Sequence, residues 1–331
     1  MYHEKRVAAV IPAYNEEGFI GDVIETLPSF IDRAYVIDDG STDGTWEEIL
    51  AHTNRARGDG GHLATQVVGT SGTTVIPIQH ETNSGVGGAI KTGYRHAQDD
   101  RMEVTVVIAG DGQTAPDVVE RIVAPVAHGQ VDYAKGNRML TREGMPPFRQ
   151  FGNFILSMLT KIASGYWRVN DPQNGSTAIS LDALDHMDLD SLYDDYGFSN
   201  DILVRLNVHD MRIADVQRRA VYNDETSHIN YPSFIVHVSW LLLRNFLWRL
   251  RTKYMLREGH PLAIAYLIGA GACGGGLVTW LRAGRNDPTA RRQGSLGFLI
   301  GCIFLLIAMV LDQKENDHLQ TVIHRPPDEL E

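Results

Sequence analysis

Up to about residue 230, short unbroken apolar runs alternate with stretches in which apolar residues recur every three or four positions. The first pattern is that of strands buried on both faces, the second that of helices with one buried stripe. Residues 6–12 (RVAAVIP), 34–38 (AYVID), 75–79 (VIPIQ) and 104–108 (VTVVI) read as strands. Between them, Phe19, Ile20, Val23, Ile24 and Leu27 share a helical face, as do Trp46, Ile49 and Leu50, and residues 80–97 supply a third helix. Pro12 has no N–H and is expected to end the first strand's ladder, with Asn15 or Glu16 capping the helix that follows. Residues 55–73 are glycine-rich and read as a surface excursion with one short strand. A β-α-β-α-β-α-β order implies a parallel sheet with right-handed crossovers and helices on both faces. A further strand over residues 133–138 and a helix over 147–164, with Phe151, Phe154, Ile155, Met158 and Ile162 on its apolar face, extend the pattern.

After residue 230 the rhythm changes. Residues 262–281 and 294–311 carry no charged side chain, and each is long enough to span a bilayer. They predict a transmembrane hairpin joined by the arginine-rich RAGRNDPTARRQ. Ahead of it, residues 233–257 interleave Trp240, Phe246 and Trp248 with Arg244, Arg249, Arg251, Lys253 and Arg257. That mixture suits a helix lying on an anionic membrane surface. The expected organisation is a catalytic α/β domain over 1–230, an interfacial helical region over 231–260, and a hairpin with a polar tail over 261–331.

Composition sharpens this picture. With 331 residues and 43% hydrophobic positions the chain can bury a sizeable core. The mean hydropathy of −0.18 conceals the two uncharged runs. A net charge of −11 argues against a nucleic-acid partner. The two cysteines, Cys273 and Cys302, both lie in apolar runs, so neither a disulfide framework nor a cysteine zinc site is indicated. The leading MYHEKR runs straight into a strand, without the apolar stretch of a secretory leader.

Ligands of such sheets sit beyond the carboxyl ends of the strands. Three strand ends deliver polar residues there: Tyr14, Asn15 and Glu16; Asp38 and Asp39; Asp111 and Gln113. Carboxylates can accept from a nucleobase or ribose, while Asp111 and the Gln113 amide are hard oxygen donors suited to Mg²⁺ or Mn²⁺. Gly85, Gly87 and Gly88 fit neither a P-loop, because Ile90 precedes Lys91, nor a dinucleotide fingerprint, which belongs after the first strand. They are expected to serve tight turning and close helix packing.

The motifs IPAYNEE, VIDDGSTDGT, NSGVGGAIKTGY and AGDGQ, in this order, resemble the nucleotide-sugar-binding half of family 2 inverting glycosyltransferases with the GT-A fold. Within that family the sequence most resembles the dolichyl- and polyprenyl-phosphate sugar synthases, over about residues 6–230. The resemblance implies a membrane-anchored enzyme moving a hexose from a UDP- or GDP-linked sugar to polyprenyl phosphate, with the catalytic domain on the cytoplasmic side of the cell membrane. It implies that Pro12, Tyr14, Glu16 and Asp39 hold the nucleotide, and that Asp111 and Gln113 hold Mg²⁺ or Mn²⁺ on the diphosphate. Arg138, in YAKGNR, would face the phosphates. Arg149 and Asn153 would meet the acceptor phosphate, Asp171, Gln173 and Asn174 the sugar, and Asp201 would be the acidic residue at the reacting centre.

Two departures stand out. Ala109 occupies the first position of the usual Asp-x-Asp, removing one carboxylate, and YNDETSHI replaces the family's Arg-x-x-Gly-x-Ser-Lys. Two other readings compete: a transferase acting on a hydroxyl of a lipid-linked glycan or polysaccharide, and an inactive nucleotide-sugar-binding scaffold. A polymerising synthase should carry a Gln-x-x-Arg-Trp-like stretch before its spans, and none is present.

Overall fold

A computed structural model describes residues 1–56, 64–66, 72–112, 114–138, 147–217, 231–283 and 287–324. The chain begins β1 (Val7–Ala13), α1 (Ile20–Glu25), β2 (Arg33–Asp38), α2 (Thr45–Ala51), then a small antiparallel pair, β3 (Asn54–Ala56) and β4 (Ala64–Gln66). Next come β5 (Thr74–Gln79), α3 (Val86–Asp99), β6 (Val104–Val107), α4 (Pro116–Ala127), β7 (Tyr133–Asn137) and α5 (Pro147–Ser164). β8 (Thr177–Ser180), α6 (Leu181–Asp185), α7 (Phe198–Val208) and β9 (Ile213–Gln217) complete the α/β part. The C-terminal part holds α8 (Tyr231–Arg249), α9 (Leu262–Arg282), α10 (Pro288–Glu315) and β10 (Gln320–Ile323).

Eight strands form one mixed sheet in the order β10-β9-β7-β8-β6-β1-β2-β5. The four strands expected to be parallel are so, in the order β5-β2-β1-β6. Alternation along β1 divides the core: Val7, Ala9, Ile11 and Ala13 pack with α1 and α4, while Ala8 and Val10 pack with α3. Pro12 does not end the strand. The ladder to β2 continues to Ala13, whereas the ladder to β6 stops at Val10, whose carbonyl accepts from Ile108 N. Neighbouring residues of a strand bond to opposite sides, so the missing Pro12 N–H interrupts only the β6 side. Neither Asn15 nor Glu16 caps α1 with its side chain; Phe19 is the cap residue, and the Glu16 carbonyl accepts from Phe19 N and Ile20 N.

β8 runs antiparallel to both β6 and β7. The loop entering β8 therefore lies at the edge where β6 and β7 end.

α9 and α10 are long and apolar enough to cross a membrane. They pack as a hairpin through small residues: a side-chain carbon added at Gly276 or Gly301 would run into the backbone of Phe298 or Cys273. Close backbone approach of this kind is how apolar helices associate without a hydrophobic driving force. At its root the hairpin is tied to the α/β domain by a buried polar cluster. Arg249, ending α8, grips Asp312 of α10 with Nη2–Oδ2 at 2.6 Å and Nη1–Oδ1 at 3.1 Å, both side chains fully buried. The Tyr254 hydroxyl donates to Asp312, Asn316 donates to Tyr254, and Lys253 bridges Asn316 to Asn207 on α7. Residues Leu250–Arg257 are π-helical. Their wider turn places Arg249 and Tyr254, five apart, on one face. Arg249 and Lys253 were counted above among the cations facing lipid; the structure buries both, because Asp312, Asn316 and Asn207 give their donors partners inside.

The chain after the hairpin was expected to be a polar tail. Instead β10 pairs in parallel with β9 at the sheet edge, fastened by Arg168 N donating to Gln320 Oε1 at 2.7 Å and by an Arg168–Asp317 ion pair. Arg249→Ala is expected to destabilise the protein by about 3–5 kcal/mol, since it strands a buried carboxylate. Arg168→Ala, breaking a half-exposed pair, should cost no more than about 1 kcal/mol. Thermal or denaturant unfolding of the two variants in detergent checks the ranking.

Candidate active site

β2, β1 and β6 are adjacent and parallel, so the loops leaving them meet at one edge of the sheet. After β1, Pro12 and Ala13 lead to the exposed Tyr14 and to Asn15, held in the left-handed region at φ 57°. That conformation aims Asn15 at the loop after β2: its N–H donates to Ser41 Oγ, and its Oδ1 accepts from Thr42 N at 2.9 Å. Glu16 N donates to Thr45 Oγ1 at 2.8 Å. The two loops are thus stitched together through backbone and short polar side chains.

The two aspartates ending β2 do different things. Asp38 is fully buried and accepts from Ser41 N and Gln79 Nε2, bracing its own turn. Asp39 gathers the next loop: its Oδ1 accepts from Ser84 N at 2.9 Å and Ser84 Oγ at 2.7 Å and lies 2.7 Å from His80 Nδ1. A carboxylate only accepts, so Nδ1 carries the proton and Nε2 faces the Thr92 hydroxyl. No described residue donates to Asp39 Oδ2, which leaves that oxygen for a ligand. The glycines at the start of α3 do what close packing requires. Gly88 N donates to Asp194 O, and a side-chain carbon at Gly87 would strike the Tyr193 carbonyl.

Beyond β6, Gly110 brings the chain against the end of β1; an added carbon there would sit 3.0 Å from the Pro12 carbonyl. Gly112 turns with φ 71°, a conformation other residues rarely adopt. Between them Asp111 is half-buried and lines an open pocket of ≈ 370 Å³ with Phe19, Asp22, Thr26 and Thr114. Gln113 lies outside the described residues. So do the side chains of Arg149 and Asn153, which α5 places one turn apart.

The antiparallel β8 supplies the other half of the edge. Its entry loop folds onto the end of β7: Arg138 N and Nε both donate to Asp171 Oδ2, at 3.2 and 3.0 Å, and buried Lys135 donates to the Asn174 carbonyl. Asn174 Oδ1 accepts from Ser176 N. The Gln173 Nε2 is buried and has no acceptor among the described residues, a donor available to a bound molecule. Asp201 stands apart from this group. At 1% exposure, it accepts from Asn245 Nδ2 on Oδ1 and from Tyr193 N and Arg205 Nε on Oδ2, bracing α7 against α8.

The sequence profile of glycosyl transferase family 2 matches residues 8–187, which contain the loops just described. The chain belongs to this family. It is 29% identical over 225 residues (67% of this chain, 88% of the relative) to UDP-N-acetylglucosamine–dolichyl-phosphate N-acetylglucosaminyltransferase of Methanococcus voltae. It is 28% identical over 224 residues (64% and 82%) to undecaprenyl-phosphate mannosyltransferase of Micrococcus luteus. Among solved structures it is similar to glucosyl-3-phosphoglycerate synthase from Mycobacterium tuberculosis, solved with Mn²⁺, UDP and glucosyl-3-phosphoglycerate. The TM-score is 0.53 and the identity 20%, over 74% of this chain and 80% of that one, a likeness of fold.

The loop entering β8 is also held by residues the motifs did not single out. Asp215 of β9 faces Lys135 across the β7–β9 register, and its Oδ2 accepts from Asn170 N at 2.9 Å and Asn137 Nδ2 at 3.0 Å. Lys161 of α5 donates to Asn170 Oδ1 at 3.0 Å. The available signal was a charged residue inside an otherwise buried strand, Lys135 in YAKGN and Asp215 in IADVQ, which side chains of this kind seldom tolerate without a partner. Burial pushes the Asp215 carboxyl up to about 6, against the opposing Asn170 hydrogen bond and the Lys135 charge. A carboxyl whose folded value is raised stabilises the fold fully only below its ordinary value, and that contribution is lost as pH rises from about 4 through about 6. Asp215→Asn is therefore expected to gain on wild type by roughly 1–3 kcal/mol between pH 4 and pH 8. Paired unfolding curves across that range measure the difference.

Proposed function

We propose that this glycosyltransferase moves a hexose from a nucleoside-diphosphate sugar to polyprenyl phosphate at a membrane surface. The carrying observation is the attachment of the α/β sheet, through α8 and the Arg249–Asp312 joint, to a hairpin apolar enough to lie in lipid. α8 itself exposes Val236, Trp240, Leu243 and Leu247, spaced along one face, with Trp240 69% exposed. The opposite face packs on α5 and α7 through Val238 and Leu242. The relatives named for dolichyl- and undecaprenyl-phosphate acceptors support the same reading. In the proposed arrangement residues 1–230 form the catalytic domain, 231–260 lie at the interface and 261–331 hold the hairpin, crossing twice. Both hairpin ends meet at the root, so the catalytic domain sits on one side, which nucleotide-sugar supply makes the cytoplasmic side.

A phosphate acceptor matches the state of the acidic groups. A phosphate oxygen is ionised near neutral pH and needs no strong base, whereas a hydroxyl acceptor does. Both oxygens of Asp201 already accept hydrogen bonds, and Asp171 is paired with Arg138. An acceptor phosphate oxygen would form a bond to the anomeric carbon as the bond to the nucleoside diphosphate breaks, inverting the configuration. Pro12, Tyr14, Glu16 and Asp39 would hold the nucleotide; Asp171, Gln173 and Asn174 would hold the sugar; Arg149 and Asn153 would orient the acceptor. Arg138 would offset charge on the departing diphosphate.

The donors at the β6 end fit a divalent ion only in part. Asp111 is an accessible carboxylate, Gln113 adds an amide oxygen, and Ala109 contributes none. No group of three or more acidic, histidine or cysteine ligands occurs among the described residues. Asp111 and Gln113 would hold an Mg²⁺ or Mn²⁺, which would supply charge neutralisation on the leaving group.

Membranes carrying the protein are expected to transfer labelled sugar from one member of a UDP- and GDP-sugar panel into an acid-labile lipid. The transfer should depend on Mg²⁺ or Mn²⁺ and fall on the order of a hundredfold or more in Asp111→Ala. Label in polymer would point to a hydroxyl acceptor, and label nowhere to an inactive scaffold.

A further inference from the structure

A second pocket, ≈ 560 Å³, lies on the flank of α8, away from the strand ends. Its walls are His186 and Ser191 from the segment after β8, Arg205 and His209 from α7, and Arg244 and Trp248 from α8. Arg205 is held in place. Its Nε binds Asp201, its two terminal nitrogens bind Ser191, and its guanidinium lies 5.3 Å from the centre of the Trp248 ring. Arg244 is exposed and makes no hydrogen bond or ion pair among the described residues. Among the described residues Asp188 is the one carboxylate in the lining, and Asp201 lies beneath, paired with Arg205. Burial lowers the pKa of His209, and the charges of His186, Arg257 and Arg205 lower it further against Asp210.

The pocket mouth adjoins the apolar stripe of α8: Leu243 and Leu247, on that stripe, flank Arg244 along the helix and are exposed, and Trp248 lines the pocket one turn after Arg244. A ligand entering here would meet a free guanidinium beside an indole, with apolar surface alongside. That combination suits a phosphate carrying acyl chains better than a soluble anion.

We propose that this pocket binds the headgroup phosphate of an anionic phospholipid, with Arg244 as its principal contact and the acyl chains lying along the α8 stripe. The site is separate from the acceptor site and rests on the membrane reading above. It would set the depth and tilt of the catalytic domain on the membrane.

The test uses the full chain in non-ionic detergent, with bound lipid read by native mass spectrometry during titration with phosphatidylglycerol or phosphatidylcholine. Phosphatidylglycerol should be retained preferentially. Arg244→Gln should weaken that retention about fivefold, the worth of one arginine at an anionic surface. Lys5→Gln, an exposed charge paired with Glu103 on the α/β domain and outside the α8 region, should leave it unchanged. Equal retention of both lipids, wild-type retention in Arg244→Gln, or equal losses in both variants would overturn the site. Displacement of the lipid by an equal concentration of inorganic phosphate would assign the pocket to a free anion and overturn the lipid assignment. Flotation with phosphatidylcholine vesicles separates the two levels: a protein that does not float refutes the membrane reading, whereas one that floats without phosphatidylglycerol preference refutes only this site.

Discussion

The buried grip of Arg249 on Asp312 is the constraint on which the arrangement of the two halves depends. Burial alone lowers the pKa of a guanidinium; the Asp312 carboxylate outweighs it and keeps the Arg249 pKa above its ordinary value. Such a pair adds little net stability over an apolar substitute, but it tolerates no other partner. Tyr254, Asn316, Lys253 and Asn207 complete its hydrogen bonds and join α7, α8 and the end of α10 at one buried point. The return strand β10 then closes the circuit by joining the sheet beside β9. Both ends of the hairpin are thereby joined to the catalytic domain.

These contacts continue to the strand-end edge through the sheet. β10 pairs with β9, β9 pairs with β7, and Asp215 of β9 hydrogen-bonds the Asn170 backbone in the loop that carries Asp171, Gln173 and Asn174. The same loop is pinned to Arg138 and Lys135 at the end of β7. A continuous set of backbone ladders and buried polar contacts thus runs from the hairpin root to the residues proposed to hold the sugar.

On the donor side the edge is built from short connections. Asn15 and Glu16 stitch the loop after β1 to the loop after β2, Asp39 gathers Ser84 and His80, and Gly110 lets the β6 end approach β1. The acidic residues at the other half are already paired with cations or amides. This agrees with the proposed acceptor, which arrives ionised.

The sequence by itself determined the parallel half of the sheet, the hairpin and the donor-side motifs. Those features are local: apolar runs, helical spacing, and strand ends followed at once by polar residues, as in IDDGSTD and AGDGQ. Tertiary structure alone decided the rest. That β8 runs antiparallel, which carries residues 170–176 to the active edge, depends on pairing between segments far apart in the chain. So do the withdrawal of Arg249 and Lys253 from the lipid-facing set and the docking of β10. Asp201 shows the reason most plainly. Its motif is local, but the bond from Asn245 that helps hold its carboxylate between two helices is not, and no local pattern records a partner 44 residues away.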